Sequence, residues 1–301
     1  MDRNEQMTEP QPREDKLFMQ GHSMCAGCGV ALAVNHIMDI LGKNSVALFT
    51  PGCLSAASAI EDNYRFRVPS AHMGMIHAGS FSAGVSAGLA QQDMEDTIVA
   101  PLAGDGASSD IGLQSLSAAA ARNDDVLYFT MDNEVYANTG VQGSGATPQG
   151  ATTTTTPSGS EAPLGKSREK KDLFKLISDH EVPYAATATP GYLSDFKQKV
   201  KKAKEKDGFR YIHVYTPCPE GWKHPPDKTV EISKLGVQTG MWVLAESEYG
   251  DIEVNVNLSD RTPIKEYLKA QGRFEHLDQT RVDQLQNQVD QHWEKYMEVS
   301  T

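Results

Sequence analysis

The sequence predicts an α/β protein built on a mostly parallel, doubly wound sheet, with an N-terminal arm and a C-terminal extension. Three observations lead there. Short apolar runs alternate with stretches of helical period along most of the chain, the pattern of strands threaded by helices. From Ile98 the chain reads strand, helix, strand in about 35 residues, the length of a βαβ crossover, whose strands lie parallel. After a long polar loop the same alternation resumes at Asp172.

Taken in order, residues 1–17 are polar and aperiodic, broken by Pro10 and Pro12, and residues 1–20 are expected to form an arm with little structure of its own. A glycine-spaced loop, Gly21-His22-Ser23-Met24-Cys25-Ala26-Gly27-Cys28-Gly29, precedes a helix with Val30, Val34, Ile37, Met38 and Leu41 on one face and Gly42 at its end. Residues 46–49 form a short strand leading into Thr50-Pro51-Gly52-Cys53. Between 71 and 90, the small residues Ala78, Gly79, Ser80, Ala83, Gly84, Ala87 and Gly88 allow a helix packed closely against other backbone.

The strand at 98–103 breaks at Gly104-Asp105-Gly106. The next helix repeats Ile111, Leu113, Leu116 and Ala120 at three- and four-residue steps, and the strand at 126–131 ends in Asp132-Asn133. Residues 143–165, with five threonines from Thr152 to Thr156, have the composition of a linker, but their place after a ligand-type turn favours an ordered loop around the site. Leu173 and Ile177 mark a helix and 183–187 a strand. Leu193, Phe196, Val200 and Ala203 mark another helix, ended by Gly208, whose lysines read as a solvated face. The strand at 209–215 is capped by Thr216-Pro217-Cys218-Pro219, and the polar tail from Asn255 ends in a helix. The main domain is thus expected over 21–246, with an extension over 247–301.

The 301 residues suffice for one large α/β domain or two modest ones. A formal net charge of −12 disfavours a nucleic-acid or anionic-membrane surface, since both need a positive footprint. No apolar run approaches the roughly 18 residues of a membrane helix and the N-terminus shows no apolar signal core, so a cytoplasmic protein is expected. In that reducing compartment the four cysteines are not expected to pair, and Cys25-Ala26-Gly27-Cys28 reads as metal binding or redox.

Ligands of parallel sheets sit beyond the carboxyl ends of the strands, where Gly104 to Gly106 and Asp132 to Thr139 both fall. Asp105 offers a carboxylate and Asn133 an amide oxygen, hard ligands that suit Mg²⁺ and the phosphates it usually accompanies. Alone, the Gly-Asp-Gly turn is an ordinary tight turn; Asn133, with 26 residues between it and Gly106, makes it a candidate site. Cys25, Cys28, Cys53 and Cys218 form a second constellation, two of them in the loop before the first helix and two at strand exits. Four thiolates fit tetrahedral zinc or a four-iron cluster, and buried inert cysteines remain the bland alternative.

The first motif resembles the diphosphate and Mg²⁺ motif of thiamine-diphosphate enzymes. The longer stretch Asp132-Asn133-Glu134-Val135-Tyr136-Ala137-Asn138-Thr139-Gly140 resembles the catalytic beta subunit of the pyruvate:ferredoxin oxidoreductase (2-oxoacid:ferredoxin oxidoreductase) family. The cysteines agree: Cys25-Ala-Gly-Cys28, Cys53 and Pro217-Cys218-Pro219 match that family's cluster pattern with none left over. The similarity runs from Gly21 through Lys223, with a weaker echo at Pro263 to Leu277.

The resemblance implies a sheet of the thiamine-diphosphate-binding type, and oxidative decarboxylation of a 2-oxoacid such as pyruvate, with coenzyme A as acyl acceptor and ferredoxin as electron acceptor. Asp105, Asn133 and the Val135 carbonyl would hold Mg²⁺. Gly104, Asp105, Gly106 and Ala107, with Asn133, Glu134, Val135, Tyr136, Ala137 and Asn138, would cradle the diphosphate. Cys53 would lie beside the cofactor, and Asn138 would face the substrate as the catalytic residue. Cys25, Cys28, Cys53 and Cys218 would hold a [4Fe–4S] cluster. Other subunits, including a pyrimidine-binding alpha subunit and gamma- and delta-type subunits, are implied as partners. Val30, Ser55 and Met75-Ile76-His77 stand where the family's pyruvate enzymes often carry glutamates or Phe-Glu-Asn, which leaves oxalate oxidoreductase as an alternative. The alternative from another class is a zinc-stabilised nucleotide-binding module without catalysis.

Overall fold

The computed structural model describes residues 16–58, 65–256 and 258–300. In chain order it contains α1 (Gly29–Leu41), β1 (Ser45–Phe49), α2 (Cys53–Ser58), β2 (Ser70–His72), α3 (Ala78–Ala90), β3 (Ile98–Gly104), α4 (Leu113–Ala121), β4 (Val126–Asp132), β5 (Val135–Tyr136) and β6 (Gln142–Gly143). There follow α5 (Leu173–Ser178), β7 (Tyr184–Ala188), α6 (Leu193–Lys204), β8 (Phe209–Tyr215), α7 (Pro219–Trp222), α8 (Thr229–Gln238), β9 (Ala245–Glu248), β10 (Asp251–Val254), α9 (Ile264–Lys269) and α10 (Gln279–Val299).

Eight strands form one sheet in the order β10-β9-β7-β8-β4-β3-β1-β2. The six from β7 to β2 are mutually parallel, and β9 and β10 continue the sheet antiparallel at one edge. Strand alternation sends Leu127, Phe129 and Met131 of β4 into a core with α1 and α6, while Val126 and Tyr128 face a core with α4, α5 and α10. With helices on both faces, the central strands β4, β7 and β8 are buried throughout, while the edge strand β2 is not. The carboxyl ends of β1, β3, β4 and β8 therefore share one edge of the sheet. Since α1 runs back to the start of β1, its N-terminus lies on that edge too.

Several expectations meet corrections. Residues 1–15 of the expected arm lie outside the described residues. From Lys16 onward the chain belongs to the core: Leu17 and Phe18 are buried, Met19 donates to the Arg65 carbonyl, and Phe18 packs on Phe66. The boundary expected at 246 falls inside β9, so the C-terminal extension is continuous with the sheet. Ile111 does not face the core but is 52% exposed, because a short π turn over Ala107–Ile111 shifts the helical phase before α4 begins. The lysines of α6 are not all solvated. Lys199 is buried, donating to the Thr187 carbonyl and to Asp195, and Lys204 donates to the last carbonyls of α1.

The small residues of α3 act at one point. A Cβ on Gly79 would lie 2.0 Å from the Ser115 carbonyl oxygen of α4, whereas Gly84 has no atom within 4 Å. Gly79→Ala is expected to lower stability by about 1–3 kcal/mol, the overpacking cost exceeding the helix-propensity gain of about 1 kcal/mol. Gly84→Ala is expected to raise it by up to about 1 kcal/mol. Urea denaturation of both variants checks the pair, and equal shifts of one sign would contradict the close approach of α3 to α4.

Candidate active site

The carboxyl edge of the sheet collects the residues that the sequence singles out. At the end of β3, the Gly104 N–H donates to Thr50 Oγ1 at 3.3 Å, tying this turn to the end of β1. Asp105 is buried, and its Oδ2 accepts from Ser144 Oγ at 2.5 Å. Gly106 is required sterically, since a Cβ there would lie 2.1 Å from the Tyr136 ring. The Tyr136 hydroxyl donates to Asp110 Oδ2 at 3.0 Å, and the Gly145 N–H donates to the same oxygen at 2.9 Å. The loop that the sequence expected to be ordered is therefore stitched directly onto the Gly-Asp-Gly turn. Ala107 opens the helical segment here, where the first N–H groups of a helix lack intrahelical partners and suit a phosphate.

Beyond β4 the chain makes a tight turn. The Glu134 N–H donates to Asp132 Oδ1 at 2.9 Å and the Val135 N–H to Asn133 Oδ1 at 3.3 Å, with Glu134 in the left-handed region at φ 62°. The Asn133 carbonyl accepts from Trp222 Nε1 at 2.7 Å, and the Glu134 carbonyl from Thr147 Oγ1 at 2.5 Å. The Glu134 side chain points away from the cradle: its oxygens accept from Lys170 at 2.8 Å and Arg273 at 2.6 Å. Lys170 also donates to Asp132 Oδ2 at 2.8 Å, and His213 Nε2 is 2.8 Å from the same oxygen. The Glu134 carboxylate is thus fully engaged by Lys170 and Arg273. Asn138 stands exposed on the turn after β5.

Charge is balanced for Asp132 and not for Asp105. Burial opposes ionisation of Asp132, yet Lys170 and His213 hold its carboxyl down to about 2. Asp105 is pushed well above the usual carboxylate range by burial first and by Asp132 next. Among the described residues, no basic group lies within ion-pairing distance of it. A buried carboxyl group held by one hydroxyl donor offers its oxygens to a hard divalent ion, whose charge would favour the ionised form that burial opposes.

The cysteines converge by close backbone approach. Gly29 donates to the Pro217 carbonyl at 3.2 Å, and a Cβ on it would lie 2.7 Å from that oxygen. Gly27, at φ 69°, passes so near Pro226 that a Cβ would lie 2.1 Å from its carbonyl, and Thr229 Oγ1 donates to the Gly27 carbonyl at 2.5 Å. The Cys-x-x-Cys loop is thereby pressed against the segment that carries Cys218. All four thiols are free. Burial pushes Cys53 up to about 12, with Cys28, Cys218, Cys25 and Asp105 adding repulsion, and pushes Cys218 up to about 11. Mutual repulsion places the four within electrostatic reach of one another. Among the described residues, no three His, Cys, Asp or Glu side chains are already spaced around a point that could hold a metal ion. The donor chemistry fits a thiophilic metal centre, which would have to draw the thiols inward and deprotonate them.

A cleft of about 40 Å³ lies where the two constellations meet, lined by Val30, Thr50, Cys53, Gly104, Met131 and Asn133 among others. A larger cavity of about 170 Å³ lies under α10, and no residue selected from the sequence lines it. Sequence reasoning missed Ser144, Lys170, His213, Trp222 and Arg273. Arg273 had a signal in the echo at Pro263 to Leu277, and Ser144 in the loop's position after the turn. Lys170, His213 and Trp222 had none, because they act through contacts across the sheet.

Residues 51–214 match the family model described as the thiamine pyrophosphate enzyme, C-terminal TPP binding domain. The chain is 43% identical over 277 residues to the pyruvate synthase subunit PorB of Methanothermobacter thermautotrophicus, covering 92% of this chain and 96% of that one. It is 38% identical to the ketoisovalerate oxidoreductase subunit VorB of Pyrococcus abyssi, covering 92% and 91%. The solved 2-oxoglutarate:ferredoxin oxidoreductase from Magnetococcus marinus shares the fold, with a TM-score of 0.57 at 24% identity over 71% of this chain and 70% of that one. Family model, relatives and fold agree with the two strand-end motifs: the chain belongs to the 2-oxoacid:ferredoxin oxidoreductase family, as its thiamine-diphosphate-binding subunit.

Proposed function

We propose that this chain is the catalytic beta subunit of a pyruvate-type 2-oxoacid:ferredoxin oxidoreductase, working with thiamine diphosphate, Mg²⁺ and a [4Fe–4S] cluster. The observation that carries the reading is Asp105, a buried carboxylate with no ion-pair partner among the described residues, in a turn whose Gly104 lines one cleft with Asn133 and Cys53. Thiamine diphosphate, when bound, supplies the electron sink for decarboxylation, and the cluster takes electrons singly on their way to ferredoxin.

This chain's own residues do the holding and orienting. Asp105, Asn133 and the Val135 carbonyl hold Mg²⁺, and the backbone of residues 104–107 and 133–138 receives the diphosphate. Ser144 keeps Asp105 in place. Cys25, Cys28, Cys53 and Cys218 hold the cluster, and Cys53 also borders the cofactor cleft. Asn138, exposed on its turn, is available to a substrate entering from outside and serves as the catalytic contact. The cleft is much too small for a whole cofactor, which supports a site completed by another subunit carrying the pyrimidine half. Gamma- and delta-type subunits, ferredoxin and coenzyme A complete the proposed set of partners, none of them nucleic acid or membrane. No helix among the described residues is long and apolar enough to cross a membrane.

Pyruvate is preferred because the stretch from Asp132 to Gly140 resembles that of pyruvate:ferredoxin oxidoreductase and the pyruvate synthase relative has the higher identity. A branched-chain 2-oxoacid is the second reading, favoured by the ketoisovalerate relative and by the uncharged Val30 in the cleft wall. Initial rates of viologen reduction by the assembled enzyme with pyruvate, 2-oxoisovalerate and oxalate decide among them. Pyruvate is expected to give the highest kcat/KM, and a preference of tenfold or more for another acid would reverse the assignment.

Two variants test the site. Asp105→Ala is expected to abolish retention of thiamine diphosphate while leaving iron content nearly unchanged, since the thiols sit on other loops. Retention at wild-type occupancy would displace the diphosphate site from this turn. Cys218→Ala is expected to yield a three-iron or cluster-free protein, read by iron analysis and EPR after anaerobic purification. An intact four-iron signal would remove Cys218 from the ligand set, and a colourless protein with stoichiometric zinc would replace the cluster altogether.

The split site predicts that the chain alone, reconstituted with iron, sulfide, Mg²⁺ and thiamine diphosphate, shows no 2-oxoacid-dependent viologen reduction. Robust turnover without any partner would show that the site is complete within this chain.

A further inference from the structure

One four-residue helix, α7, joins Cys218 to the diphosphate turn. At its start, Cys218 Sγ accepts the Gly221 N–H at 3.2 Å. At its end, Trp222 donates its indole N–H to the Asn133 carbonyl at 2.7 Å. Between them, Gly221 passes so close that a Cβ would lie 2.8 Å from Val135 Cγ2 and 3.3 Å from Cys218 Sγ. Trp222 is wholly buried, with the Arg273 guanidinium 3.9 Å from its ring centroid and the Tyr215 ring 5.2 Å away. Arg273 in turn bonds Glu134, so the peptide between Asn133 and Glu134 is held by Trp222 on its carbonyl and, through Glu134, by Arg273.

This geometry leaves little slack. Close-packed contacts transmit a displacement rather than absorb it. A shift of Cys218 toward a metal centre moves α7, and α7 cannot move without carrying the Asn133 carbonyl and the wall against Val135. We propose that Trp222 is a positioning residue that couples the thiol site to the diphosphate turn, so that a metal centre on the cysteines strengthens binding of Mg²⁺–thiamine diphosphate. By linkage the reverse holds, and bound cofactor strengthens retention of the metal centre. The inference rests on the two site assignments proposed above. It adds that their occupancies are not independent.

The test uses Cys25→Ser, a substitution at an exposed cysteine on a different loop from α7. Calorimetry with Mg²⁺ and thiamine diphosphate is run on the full chain reconstituted with iron and sulfide, alongside iron analysis and thermal melts. Cys25→Ser is expected to lose its cluster and to bind the cofactor about tenfold more weakly, a factor within the usual range of site–site coupling. Trp222→Phe, which keeps the ring but removes the donor, is expected to keep its iron and to weaken cofactor binding to a similar degree. In the Trp222→Phe background, Cys25→Ser should add nothing, the signature of a shared path in a double-mutant cycle. Cofactor affinity within twofold of wild type in cluster-free Cys25→Ser overturns the coupling, as does full additivity of the two substitutions. Should Trp222→Phe fail to fold, the comparison of wild type with Cys25→Ser decides alone. Asp105→Ala separates the failures: binding that survives it indicts the diphosphate site itself, whereas binding lost there but indifferent to iron overturns only the coupling. A Cys25→Ser protein with its full iron content indicts the thiol site, and the proposal falls with it.

Discussion

The turn after β4 exists because a chain of buried charges holds it. Asp132 and Glu134 flank Asn133, and both side chains are almost wholly inaccessible. Two carboxylates so close in a low-dielectric interior would each cost several kcal/mol if left unpaired. Lys170 bridges them, Arg273 takes the second oxygen of Glu134, and His213 takes Asp132. The turn's own carboxylates therefore match two permanent cations, and Glu134 can be kept in the left-handed conformation that would cost a non-glycine residue about 1–2 kcal/mol. Asn133 and the Val135 carbonyl are aimed by this arrangement rather than by their own preferences. Lys170 also lies 4.7 Å from the Trp242 ring centroid, so the network reaches the C-terminal part of the sheet.

The same logic explains why the C-terminal segment belongs to the site although its sequence carries no catalytic signature. Arg273 comes from the short turn after α9, is fully buried, and contacts Glu134, Gln271, Tyr267 and the Trp222 ring. Its backbone carbonyl accepts from both the N–H and the hydroxyl of Thr152, fastening the threonine-rich loop. That loop in turn supplies Ser144 and Thr147 to the two strand ends. A polar, glycine-rich segment is ordered here because its backbone and hydroxyls find partners on three sides, which composition alone cannot reveal.

Most of the sheet was legible because strand and helix periods are local properties. All five strands expected from the sequence are present, and the βαβ unit at the centre has its strands paired in parallel. The meeting of the Gly-Asp-Gly turn, the Asp132-Asn133 turn and Cys53 at one edge of the sheet was legible because spacing survives translation into strand-end geometry. What was not legible depended on partners far apart in sequence. Lys199 looks like its neighbours on α6 until the Thr187 carbonyl and Asp195 claim its ammonium group. Ile111 fits a helical repeat until the π turn adds a residue. Leu17 and Phe18 look like the end of a polar arm until Arg65, Phe66 and Arg67 arrive to pair with them.

The departures from the family's glutamates acquire a physical meaning at the cleft. Val30 is buried, packs into the core shared by α1 and β4, and also lines the cleft beside Cys53 and Asn133. A carboxylate at this position would stand beside Cys53, whose ionisation burial, the other thiols and Asp105 already oppose. Every negative charge removed from this corner lowers the penalty of forming thiolates and of keeping Asp105 ionised until a cation arrives. Valine thus makes this part of the cleft wall apolar. Relatives named for pyruvate and for ketoisovalerate are both similar to this chain over most of its length, so membership of the family fixes the reaction class more tightly than it fixes the acid.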